Sequence, residues 1–87
     1  MRVFVVIGRS QPKQIATAIE SRGLASFEVD HNAWMVASDG TTREVAERLG
    51  IRNGENGTGL VCLIESYSGR LPADAWEWLK VYEAKSE

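Results

Sequence analysis

Val3-Phe4-Val5-Val6-Ile7-Gly8 is the stretch on which the fold turns. Its five apolar residues are β-branched or aromatic and Gly8 closes the run, so it reads as a strand. Val3, Val5 and Ile7 fall on one side of that strand, and Phe4 and Val6 on the other. A strand that is apolar on both sides needs cover on both. Leu60-Val61-Cys62-Leu63-Ile64 repeats the pattern further along the chain. There Leu60, Cys62 and Ile64 oppose Val61 and Leu63.

The segments between these runs supply the other elements. Pro12 opens a helix, with Ser10 or Gln11 at its cap and Gly23 at its end. Ile15, Ala16, Ala18 and Ile19 share one face of it. Ser26 to Asp30 alternates with period two, and Ala33 to Ala37 is apolar on both faces. The two residues between them, His31-Asn32, are expected to make a tight hairpin turn, because Asn and His tolerate positive φ. Thr41-Thr42-Arg43-Glu44 is a capping box that starts a second helix, with Val45, Ala46 and Leu49 inward and Glu44 and Arg48 paired outward. Arg52 to Gly59 holds three glycines and two asparagines and reads as a flexible loop.

Leu71-Pro72 starts a third helix, over about 72–84. Ala75, Leu79 and Tyr82 centre its apolar stripe, and Trp76 and Trp78, roughly 200° apart, flank it. The order β-α-β-β-α-β-α is the split βαβ pattern plus one helix. The expected fold is therefore α+β: a ferredoxin-like βαββαβ antiparallel sheet, two helices on one face, and an added C-terminal amphipathic helix. The 87 residues make a single domain, 1–87. Two helices cover one apolar face of the first and last strands. The third helix, a second copy of the chain, or both must cover the other.

Composition narrows the function classes. A hydrophobic share of 44% and a charged share of 25% are ordinary for a globular domain and argue against disorder. The net charge of −2 does not favour diffuse binding to nucleic acid or to an anionic membrane. Cys62 is the single cysteine, so the chain can form neither an internal disulfide nor a cysteine-cluster zinc site. Within its apolar run it is expected to be a small core hydrophobe. The opening apolar run is too short for a signal-peptide core or a membrane span, and the expected location is cytoplasmic.

The closing element Gly69-Arg70-Leu71-Pro72-x-x-Ala75-Trp76-x-Trp78-Leu79, with the βαββαβ order and an apolar third strand, resembles small bacterial proteins of the SinR-like group. Those are similar in fold to VapD toxins and to the CRISPR-associated endoribonuclease that takes part in spacer acquisition. The resemblance implies the same fold and dimerisation. The nuclease members carry an aspartate at the end of strand one, which faces its mate in a dimer and holds a metal ion. Here the corresponding stretch is Val6-Ile7-Gly8-Arg9, and it contains no acid. Metal-dependent hydrolysis needs clustered hard oxygen ligands. The resemblance therefore carries over fold and dimerisation, but no catalytic residue.

Other motifs read as structure before function. Thr41 to Ile51 looks like the first half of a helix-turn-helix, but a glycine-rich loop and a strand follow where a recognition helix is needed. Glu28, Asp30 and Asp39, with His31, are the one acid cluster from which an acid/base or metal site could be assembled. Gly8-Arg9-Ser10 lacks the spaced glycines of a phosphate loop. Trp34, Trp76 and Trp78 are many for so short a chain, and tryptophan is favoured at interfaces. Trp76, Trp78, Leu79 and Tyr82 are the expected interaction residues. The leading expectation is a non-enzymatic macromolecular interaction module, homodimeric, with no cofactor, metal or membrane partner and with another protein as a further partner. Two other classes stay open. One is a divergent metal-dependent nuclease or toxin that uses Glu28, Asp30 or Asp39. The other is a small-ligand regulatory domain, suggested by fold analogy alone.

Overall fold

Alternation along the strands sorts the apolar side chains onto two faces, and the chain builds a layer on each. In the computed structural model, which describes residues 1–84 (of 83 and 84 the backbone only), the elements are β1 (Arg2–Gly8), α1 (Pro12–Ser21), β2 (Ala25–Asp30), β3 (Ala33–Ser38), α2 (Thr42–Arg48), β4 (Gly59–Leu63) and α3 (Ala73–Ala84). The strands form one antiparallel sheet in the order β2-β3-β1-β4. β1 and β3 are central, and β2 and β4 are edges.

On the first face Phe4, Val6, Trp34, Val36 and Val61 meet Ile15 and Ile19 of α1 and Val45 and Leu49 at α2. On the second face Val3 and Met35 meet Ala75 and Leu79 of α3. The close seating of α1 depends on Gly8, where a Cβ would stand 2.8 Å from the Ile15 side chain.

The first-face helices are closed by local chemistry. The Thr41 hydroxyl accepts from the Glu44 N–H at 3.1 Å, and the Glu44 carboxylate accepts from the Thr41 N–H at 3.0 Å. At the far end of α2, Gly50 takes a φ of 70°, and the N–H groups of Gly50 and Ile51 donate to the carbonyls of Glu47 and Ala46. This is a Schellman closure, and α1 ends the same way at Gly23. Gln11 is the α1 cap residue. The Ser10 hydroxyl instead accepts from the Thr58 N–H at 2.8 Å.

Two local expectations change. Among the described residues none other than glycine has positive φ, so the His31-Asn32 turn is not of the left-handed kind. The pairing instead shifts between Glu28 and Asp30, which leaves Val29 as an extra residue on β2. Such a bulge adds the twist that lets ordinary turn geometry close a hairpin. The segment after α2 is also more tied down than its glycines suggest. The Asn56 side chain donates to the Leu49 carbonyl at 2.7 Å and its N–H to the Gly50 carbonyl at 2.8 Å, while Thr58 bridges to Arg9 and Ser10.

Candidate interaction surface

Strand register arranges the second face in three rows. Ile64, Val3, Ala37 and Ala25 form the first, Cys62, Val5, Met35 and Phe27 the second, and Leu60, Ile7 and Ala33 the third. Val29, displaced by the bulge, joins Ala33 at the end of the third row.

α3 covers only part of this face. Its buried residues Ala75 and Leu79 sit on Val3 and Met35, and Phe27, Ile64 and Leu71 pack at the margin. Trp78 lies against Phe27 and Tyr82, with ring centroids 6.5 and 4.5 Å away. Trp76 stacks on Tyr67 at 5.9 Å. Of the expected interaction residues, Leu79 is buried, and Trp76, Trp78 and Tyr82 are half-buried in the packing of α3 on its own sheet.

The third row is left bare. Ile7 is 39% exposed, Val29 40% and Leu60 55%, and Cys62 in the adjoining row is exposed as well. Beside this strip an open groove of about 350 Å³ runs under the α3 approach, lined by Val5, Val29, Ala33, Tyr67 and Trp76. The expectation that Cys62 is a core hydrophobe is corrected here. Even-numbered residues of β4 face the second side, and α3 lies over β1, β3 and β2 instead.

The acid cluster is spread along the hairpin. Asp30 lies at the tip, where its Oδ1 accepts from the His31 N–H at 2.7 Å and lies 3.0 Å from the His31 ring Nδ1. The backbone N–H and then the ring hold its carboxyl below the usual aspartate range. Asp39 follows the far end of β3, 3.4 Å from the terminal amine of Met1. A strand the length of β3 spans about 20 Å, so the two acids do not share a site. Glu28 lies exposed on β2 opposite Trp34. Among the described residues no group of three His, Cys, Asp or Glu side chains is placed to hold a metal ion. Among them, too, no helix is long and apolar enough to cross a membrane.

Sequence reasoning found the two-sided strands but not the bare strip of Leu60, Ile7 and Val29. A signal was present: the α3 stripe is one helix wide, and a single helix cannot roof four strands. Compared with known proteins, the chain matches no family model, no curated protein and no solved structure.

Proposed function

We propose that this chain is a non-enzymatic interaction module of ferredoxin-like βαββαβ type, working as a homodimer in the cytoplasm and joining other macromolecules in that form. The strand order β2-β3-β1-β4 with all neighbours antiparallel supports the fold assignment. The kinship with SinR-like and VapD-like proteins belongs to the same reading, for fold and dimerisation only.

The observation that carries the proposal is the bare strip. Leu60, Ile7, Ala33 and Val29 run across all four strands as one apolar band. Contiguous exposed apolar surface of this kind marks an interaction site. A chain this short has a small core, and association enlarges it. The dispersed acids give no matching support for chemistry at the hairpin.

Sedimentation equilibrium tests the reading. The wild-type chain is expected to show twice the chain mass, and Leu60→Ser, at the β4 end of the strip, to shift it toward the single chain. Trp78→Ala is the control. Because Trp78 packs on Phe27 and Tyr82 of its own chain, this change is expected to lower the melting temperature more than the mass. A wild-type chain that stays monomeric at every concentration overturns the proposal.

A further inference from the structure

The edges of the sheet differ in how they are defended. β2 carries Glu28 and Asp30 and is interrupted by the bulge at Val29. Charges and bulges are the devices that keep an edge strand from pairing with another chain. β4, Gly59-Leu60-Val61-Cys62-Leu63, has neither charge, proline nor a register break.

Register shows which main-chain groups of β4 are open. The Ile64 N–H donates to the Val3 carbonyl at 2.9 Å, and the Arg9 N–H to the Thr58 carbonyl at 2.8 Å. Antiparallel ladders alternate, so Cys62 and Leu60 likewise turn their main-chain groups toward Val5 and Ile7. Gly59, Val61 and Leu63 turn theirs out of the sheet, where no described residue bonds to them. The space beside them is open: a depression of about 410 Å³, bounded by Thr42, Arg43, Ala46 and Arg52, runs along Gly59 to Val61.

Charge indicates the occupant. Arg43 and Arg52 flank the start of β4 and share one acid, Glu47, at 3.4 and 3.7 Å. Arg9 borders the same end. Glu65 follows the other end of the strand. An antiparallel copy of β4 therefore brings each Glu65 to the arginine-rich end of its mate.

We infer that β4 pairs antiparallel with β4 of a second copy of this chain, about a two-fold axis at Val61, so that the two sheets become one. This inference rests on the homodimer reading and specifies where the two copies join: at the β4 edge, with the apolar strip left facing outward for a further macromolecule. With the axis at Val61, Val61 lies opposite its mate and Gly59 opposite Leu63 of the partner subunit. Every outward group of the strand then gains a bond. An axis at Leu60 or Cys62 leaves an end unpaired. On the second face Leu60 comes opposite Cys62 of the partner subunit, and the apolar strip continues across the axis.

Leu60→Cys in the full chain tests this register. Opposite residues in a non-hydrogen-bonded pair stand about 4.5 Å apart between Cα atoms, within disulfide reach. Oxidation with copper–phenanthroline is expected to give a covalent dimer whose linked peptides join residue 60 to residue 62. The wild-type chain is expected to give none, because its two cysteines lie on a diagonal, roughly 7–8 Å apart between Cα atoms. Leu60→Lys, at an exposed position, is expected to keep the fold by circular dichroism and to run as a monomer. A dimeric Leu60→Cys chain that does not cross-link overturns strand pairing while leaving the homodimer reading standing. Efficient cross-linking of the wild type through Cys62 moves the axis and overturns the register. A monomeric wild type overturns both proposals.

Discussion

The two faces of the sheet are built from equally apolar strands and finished to different degrees. On the first, two helices with closed ends bring Phe4, Val6, Val36, Val45 and Leu49 to full burial. On the second, one helix buries Val3 and Met35 and stops short of Ile7, Leu60 and Val29. The difference lies in coverage rather than in strand composition. β1 feeds both faces in alternation, yet Val6 is buried and its neighbour Ile7 is not. A two-sided strand specifies that cover is needed. What supplies it depends on how far the third helix reaches.

The comparison can be broken first at the largest residues. Phe4→Ala on the first face should cost about 4 kcal/mol, since the side chain is fully enclosed and its neighbours cannot collapse into the space. Leu79→Ala on the second face should cost about 3 kcal/mol, because α3 is held from one side and can settle toward the sheet. Urea unfolding of both variants measures the difference. A larger loss at Leu79 than at Phe4 would mean that the second layer is the main core.

A smaller effect sharpens the account of the first layer. The Glu44 carboxyl is held below its ordinary range, mainly by the Thr41 N–H it accepts and with help from the Thr41 hydroxyl contact and from Arg48. A folded-state value below the unfolded one contributes stability above the ordinary glutamate range. That contribution fades as pH falls through the folded value. Glu44→Gln should flatten this acid limb of the stability profile by lowering stability at neutral pH, and leave stability at pH below the folded value little changed. An unchanged acid limb would mean that the box does not form in solution.

Helices, strands and their order were legible because each rests on local pattern. Pro12, Gly23, Gly50 and the Thr41–Glu44 box mark their own positions. Other features depended on partners far along the chain. The bulge at Val29 exists only relative to β3, so the hairpin was read as needing a left-handed turn at His31-Asn32. The glycines after Arg52 suggested looseness, but Asn56 and Thr58 tie that segment to Leu49 and Ser10. Cys62 was read as core because its run is apolar, while its exposure follows from α3 lying over the opposite half of the sheet. The tryptophans of α3 were legible as contact residues, but not which chain they contact. Asp30 and Asp39 could be grouped into one acid cluster from the sequence, yet they stand at opposite ends of β3.

Cys62 offers the most direct measurement of whether a second copy lies against β4. It is the sole thiol and stands in the exposed part of the second face. Its reaction with a disulfide reagent should be slow in concentrated protein and quicken on dilution, over the same range in which the sedimenting mass falls to that of one chain. Reactivity that is fast and independent of concentration would contradict the account and leave the β4 edge without a second copy.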